Sequence, residues 1–182
     1  GAMMENKGLI IANDNKGIRM QSLGINVQRA GLTNVLISLM TGKRFYQFQF
    51  DKILLDAPCS GTGTIRKSLK TIHIWNPLTI TKISRDQKEL IKRAFENLRE
   101  GGEMVYSTCS LEPEEDEGVV DYLLKTFSNA DIEKVKLPGL KLAKPIMEFD
   151  GQKYDERVKH CLRIWPQDND TEGFFVAKIK KK

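Results

Sequence analysis

Short apolar runs recur along the chain, each closed by small, polar or helix-breaking residues. Leu9, Ile10, Ile11 and Ala12 form the first and stop at Asn13 and Asp14, a strand and its exit. Ile18, Leu23, Ile25 and Val27 then recur at helical spacing over residues 16–30, with Gly31 placed as a helix C-cap. Residues 35–39 predict a second strand; residues 45–50 are aromatic-rich and have no deciding period. Ile53, Leu54 and Leu55 predict a third strand, which opens into a long Gly/Ser/Thr loop carrying Arg66, Lys67 and Lys70. Over residues 84–98, Leu90, Ile91, Ala94 and Leu98 share one helical face, and Gly101-Gly102 ends that helix before a fourth strand through Met104, Val105 and Tyr106. A helix is expected over residues 114–124, its first turn of Glu114, Glu115, Asp116 and Glu117 suiting the positive end of the helix dipole. Residues 135–137 and 162–164 read as short strands, and residues 174–179 as a closing strand. Helices alternating with strands predict an α/β fold with a mostly parallel, doubly wound sheet and an antiparallel pair at its end.

Composition narrows the function classes. At 182 residues the chain is long enough for one domain with a real core. Gly1, Ala2 and Met3 read as a cloning remnant, which leaves residues 4–182 as the natural segment. No run approaches the roughly 18 apolar residues of a membrane span, and no signal peptide is visible, so no membrane partner and a cytoplasmic location are expected. The three cysteines are few and odd in number, which fits a reducing compartment better than a disulfide framework. They lie far apart and only two histidines accompany them, so no metal site is expected. The net charge of +5 favours a polyanionic partner such as RNA, although part of it sits in residues 178–182, a stretch that reads as a solvated end.

Two of the cysteines carry the candidate chemistry. Cys59, in Asp56-Ala57-Pro58-Cys59, and Cys109, in Ser107-Thr108-Cys109-Ser110, each follow a predicted buried strand. In open α/β sheets, ligands and chemistry gather at the carboxyl ends of strands. Pro58 lacks a backbone donor and stops ladder pairing there, which would turn the acid and the thiol into a cleft. Singly, each thiol reads as a small buried hydrophobe. Together, at equivalent strand ends with an acid beside one, they point to cysteine chemistry on a bound substrate. Asp14, just past the first strand, is placed either to accept the ribose hydroxyls of an adenosine cofactor or simply to cap a turn. Cys161 reads as structural, and His73, Trp75 and Trp165 as packing or loop residues.

DAPCSGTG with Arg66 behind it, followed by GGEMVYSTCSLEPEEDE, closely resembles the Sun-type (Nol/Nop/Sun) RNA cytosine-5 methyltransferases, archaeal members in particular. ANDN with Arg19, Asn26, Arg29, Gly31 and Asn34, Arg163 with Pro166, and the closing GFFVAKI fit the same family, so the resemblance spans about residues 9–179. It implies a Rossmann-like methyltransferase fold that uses S-adenosylmethionine and acts on RNA, tRNA first and rRNA second. It also implies roles: Cys109 as the nucleophile, Cys59 as the group that assists product release, and Asp56 on the cytosine edge. Asp14, Asp56 and Pro58 would meet the cofactor, and Arg66 and Lys67 the RNA.

The chain departs from that family in one large respect. Members carry a strand and a glycine-rich loop of the type D-x-x-A-A-P-G-G-K ahead of the segment matched here, and this sequence contains no such loop. The absent strand is central in the family's sheet, between residues 9–12 and 53–55. The expectation is therefore a partial catalytic domain over residues 4–182, lacking that first strand and its loop. A second polypeptide carrying the N-terminal half would complete it, as in a naturally split, heterodimeric enzyme that starts at Met4 or in one piece of a cleaved protein. Many relatives also place an acid near residues 38–42 to meet the adenine; here the residues are Leu39-Met40-Thr41-Gly42. The alternative is a non-catalytic RNA-binding or scaffolding subunit that keeps the fold, a reading disfavoured by the retention of both thiols and Asp56.

Overall fold

The computed structural model describes residues 1–182, which divide into two compact units, Gly1–Tyr46 and Gln47–Lys182. The first holds β1 (Ile10–Asp14), α1 (Gly17–Arg29) and β2 (Val35–Leu39), with short 3-10 turns at Ala2–Met4 and Gly42–Arg44. β1 and β2 are parallel, in register from Ile10 opposite Val35 to Asp14 opposite Leu39. After α1 the chain reverses at Gly31, whose φ of +61° is cheap only for glycine, and whose N–H reaches the Gln28 carbonyl at 3.0 Å. These elements agree with the hydrophobic pattern to within about two residues. The unit nevertheless buries no apolar side chain among those described: only Asn34 is buried, while Leu9 is 64% and Ile18 88% exposed. Two strands and one helix do not hold themselves together without a covered apolar face.

The second unit carries the core. Its elements are β3 (Phe50–Asp56), α2 (Lys70–Ile74), α3 (Pro77–Glu96), β4 (Leu98–Thr108), α4 (Glu117–Thr126), β5 (Ala130–Glu133), the small hairpin β6 (Glu148–Phe149) and β7 (Gln152–Lys153), β8 (Leu162–Ile164), α5 (Pro166–Asn169) and β9 (Phe174–Lys181). The sheet runs β3-β4-β9-β5, with β8 also on β9. β3 and β4 are parallel, and β9 runs against β4, β5 and β8. The strands other than β9 therefore point one way, and the antiparallel pairing expected at the end of the sheet is supplied by β9 alone. Ile91 and Phe95 of α3 and Val119, Val120 and Leu123 of α4 pack with Met104, Tyr106, Phe175, Ala177 and Ile179 in one buried cluster.

Several expectations are corrected. The helix expected over residues 84–98 starts at Pro77, because the Asn76 side chain accepts from the Leu78 N–H and Pro77 sits in the first turn. β4 begins at Leu98, so Gly101-Gly102 lies inside a strand, where the register with β3 shifts between Phe50 and Lys52. The helix expected from residue 114 begins at Glu117, and residues 135–137 form no strand; β5 takes that role at Ala130–Glu133. The lysine tail is not a solvated end: Lys181 Nζ donates to the Leu98 carbonyl at 2.7 Å, and Lys178 meets Glu133 at 2.6 Å. No helix is long and apolar enough to cross a membrane. Among the described residues, β1 pairs only with β2, and β3 only with β4.

Candidate active site

Parallel pairing brings the two cysteine motifs together. The register sets Leu55 beside Tyr106 and Asp56 beside Ser107, and the Ala57 N–H adds one further bond to the Ser107 carbonyl at 3.0 Å. Pro58 has no N–H to continue the ladder, so both chains leave the sheet. One residue later the Cys59 and Cys109 sulfurs lie 3.1 Å apart, both free thiols and both half-buried. Asp56 is exposed beside them, accepting weakly from the Ser107 hydroxyl at 3.4 Å.

Two thiols this close share a proton, and the titration belongs to the pair. The hydrogen bond from Cys59 brings the Cys109 thiol down to about 7, against its burial and the nearby carboxylates Asp56 and Glu172. The same contact, together with burial, drives the Cys59 thiol far up. The contact thus favours the thiolate on Cys109 and the shared proton on Cys59. Alkylation of Cys109 by iodoacetamide should follow an apparent pKa near 7. Its rate falls about tenfold per pH unit below that value, and the midpoint moves upward in Cys59→Ala; an unchanged midpoint would remove Cys59 as the donor.

What holds the sulfurs in place is a buried carboxylate that the sequence pattern had assigned to a helix dipole. Glu115 is fully buried. Its Oε2 accepts from the Ser60 N–H at 2.9 Å and from Gln87 Nε2 at 3.1 Å, and its Oε1 accepts from the Ser110 hydroxyl at 3.1 Å. Ser60 follows Cys59 and Ser110 follows Cys109, so one side chain ties both cysteine loops to α3. Burial pushes the Glu115 carboxyl up, opposed by those three donors. Gln87 Nε2 also donates to the Pro58 carbonyl at 2.9 Å. Across the loops the Gly63 N–H donates to the Cys109 carbonyl at 2.9 Å. A Cβ on Gly63 would stand 2.5 Å from the Gly173 carbonyl oxygen, an approach only glycine permits.

Behind these loops lies a second buried cluster. Arg163 donates through Nε to Glu117 at 2.9 Å, through Nη2 to Asp116 at 3.0 Å and to Glu117, and through Nη1 to the Leu111 carbonyl at 3.0 Å. Thr108 completes it with a 2.5 Å bond to Asp116. All three charged side chains are fully buried. Arg163→Met strands two buried carboxylates, and urea denaturation should show a loss of about 3–5 kcal/mol.

The remaining predicted residues fall as follows. Asp14 lies in the first unit, where its carboxylate accepts from the Lys16 N–H at 2.8 Å and from Arg19 at 3.3 Å; the Lys16 amide and Arg19 hold it below the usual carboxylate range. Pro58 is exposed at the end of β3. Arg66 is half exposed and pairs with Asp170 at 2.5 Å and with the Thr171 carbonyl at 3.4 Å, and Lys67 lies 3.9 Å from Glu172. Cys161 is buried, which pushes its thiol up and leaves it inert. Trp75 donates to Glu112 at 3.0 Å. Sequence reasoning missed Glu115, Gln87, Ser60 and Ser110 as parts of the site; the one available signal was a glutamate five residues after Ser110 in an acidic run.

Comparison with known proteins bears on this arrangement. A family model described as "16S rRNA methyltransferase RsmB/F" matches residues 1–180. The chain is 48% identical over 180 residues to a tRNA (cytosine(49)-C(5))-methyltransferase of Pyrococcus abyssi, covering 98% of this chain and 57% of that protein. It is 42% identical to the ribosomal RNA small subunit methyltransferase F of Shewanella piezotolerans, covering 99% of this chain and 37% of that one. Among solved structures, a methyltransferase homologue from Pyrococcus horikoshii superposes with a TM-score of 0.82 at 35% identity, over 99% of this chain and 55% of the other. NSun6 from Pyrococcus horikoshii, solved with SFG, gives 0.80 at 31% identity, over 99% of this chain and 43% of the other. The chain thus spans between about a third and somewhat over half of the relatives it matches.

Proposed function

Because the chain belongs to the RsmB/F family of 16S rRNA methyltransferases, the Sun-type family, we propose that it carries the catalytic half of an S-adenosylmethionine-dependent RNA cytosine-5 methyltransferase. The observation that carries this reading is the pair of free thiols 3.1 Å apart at the carboxyl ends of two adjacent parallel strands. Carbon 5 of cytosine is a weak nucleophile. The Cys109 thiolate forms a bond to carbon 6, which makes the ring an enamine and carbon 5 nucleophilic. Asp56, exposed at the mouth of the site, hydrogen-bonds the cytosine edge and favours a proton on N3, which stabilises the adduct. Once Cys109 is bound to carbon 6 as a thioether, Cys59 no longer faces a thiolate and can give up its own proton to solvent. After carbon 5 is methylated, the Cys59 thiolate takes the carbon 5 proton, the electron pair re-forms the carbon 5–carbon 6 double bond, the carbon 6–sulfur bond breaks with Cys109 leaving as thiolate, and the N3 proton returns to solvent. The target base must leave any stack to reach the sulfurs.

The residues present fit the ribose end of the cofactor. Asp14 is ionised and uses only part of its acceptor capacity on Lys16 and Arg19, so within the first unit it can accept from ribose hydroxyls; for Asp56 and Pro58, in the second unit, a cofactor contact rests on the family resemblance alone. When bound, S-adenosylmethionine supplies the methyl group. Its methionine end would be met by a glycine-rich loop that residues 1–182 do not contain, supplied by the same or by a second polypeptide. Two observations support that completion: β1 and β3 each have a single strand partner among the described residues, and the first unit lacks a buried apolar side chain.

tRNA is the substrate favoured by the 48% relative, rRNA by the 42% one. The test is methyl transfer from labelled S-adenosylmethionine to unmodified tRNA and 16S rRNA transcripts, with and without the N-terminal half of a close relative, and nucleoside mass analysis of the product. 5-Methylcytosine formed only with the added half is the expected result. Another methylated nucleoside, or none, would remove the proposal.

A further inference from the structure

Beside β5 and β8 the chain encloses an open groove of about 800 Å³ that the catalytic chemistry does not use. Its floor is apolar, with Val135, Leu137, Leu142, Ala143 and Leu162, and its rim carries Lys134, Lys136, Lys144 and Lys159. No aspartate or glutamate lines it among the described residues. Of the neighbouring acids, Glu133 is engaged by Lys178 at 2.6 Å and Asp168 by Lys141 at 2.7 Å, both lysines outside the groove, while Glu156 pairs with the rim lysine Lys159 at 3.5 Å. Lys134, Lys136 and Lys144 thus converge on an apolar surface with no carboxylate to neutralise them there.

The sheet fixes where this groove lies. Thr108 pairs with Phe175, Phe175 with Arg163, and Arg163 with Ala143. These four residues form one row across the sheet, three strand spacings or about 14 Å long, from the residue before Cys109 to the groove floor. β5 runs in the same direction as β4, so the segment leaving it at Lys134 heads toward the end of the sheet that carries the two thiols.

We propose that this groove binds a nucleotide of the substrate RNA flanking the target cytosine, its phosphates met by Lys134, Lys136 and Lys144 and its base laid on the apolar floor. The inference rests on the RNA reading above. Lysine ammoniums around an apolar surface suit a polyanion that also has flat faces to bury, and the volume lies within the range of small-ligand sites. An acidic peptide shares the charge but has no comparable face for the floor.

The test is the triple variant Lys134→Ala/Lys136→Ala/Lys144→Ala in the full chain, with the triple lysine-to-arginine variant as control. Affinity for an unmodified tRNA transcript and for an oligouridylate is measured against salt concentration. Loss of three phosphate contacts should flatten the slope of log affinity against log salt by about 2 and weaken binding at least about tenfold, with the arginine variant near wild type. Wild-type RNA binding with an unchanged slope in the alanine variant overturns the groove alone. A wild type with no salt-dependent RNA affinity overturns the RNA reading and the groove with it. Equal competition by polyglutamate would reassign the groove to an acidic protein and overturn its role in RNA binding.

Discussion

Cys109→Ala is expected to lower methyl transfer by more than about 10³-fold while RNA affinity stays within about twofold. The loss is large because no other group can raise the nucleophilicity of carbon 5: Cys59, the only neighbouring thiol, holds its proton through the contact with Cys109 and through burial. Binding persists because the loop is fixed by groups other than the sulfur. The Cys109 carbonyl still accepts from the Gly63 N–H, and Ser110 still donates to Glu115. The split between the two readouts separates an enzyme from a scaffolding subunit that keeps the fold. A variant that methylates at the wild-type rate would mean that Cys109 is not the nucleophile.

Cys59→Ala should have the second largest effect, of a different kind. Removing the donor raises the Cys109 thiol from about 7 toward the ordinary cysteine value near 8.5, which slows addition at neutral pH. Release slows more, since the group that assists departure is gone. At about pH 8.5, with cofactor present, an RNA–protein adduct that survives denaturing electrophoresis should therefore accumulate, whereas the wild type shows little. The cavity left by the sulfur is small and the Glu115 clamp reaches the loop through the Ser60 backbone N–H, so the variant should fold. Turnover with no adduct at any pH would count against a division of labour between the two thiols.

The strands that position the site were legible because each is a compact apolar triplet, Ile53-Leu54-Leu55 and Met104-Val105-Tyr106, closed by residues that cannot extend a ladder. The meeting of Cys59 and Cys109 could be anticipated from equivalent strand ends, and the 3.1 Å contact follows from parallel pairing. The clamp could not. Glu115, Asp116 and Glu117 look like a solvated helix entry in the local pattern; they are buried because Arg163, 46 residues beyond Glu117, supplies the countercharge and because Ser60, Gln87 and Ser110 satisfy Glu115. A buried charge is set by partners distant in sequence, which periodicity does not register. Arg66 shows the same limit, since its partner Asp170 lies 104 residues away. The start of α3 carried a local signal that was missed: Asn76-Pro77 is a capping residue followed by a first-turn proline, yet the helix was expected only from residue 84.

The two-thiol chemistry is tested most directly with RNA in which the target cytosine carries fluorine at carbon 5. Fluorine cannot leave as a proton does, so the wild-type enzyme, supplied with S-adenosylmethionine and the N-terminal half, should stall as a covalent adduct. Digestion and mass mapping of the linked peptide should then find the RNA on Cys109, with Cys59 unmodified. RNA attached to Cys59, or no adduct from an enzyme that methylates ordinary RNA, would contradict the assignment of Cys109 as the nucleophile.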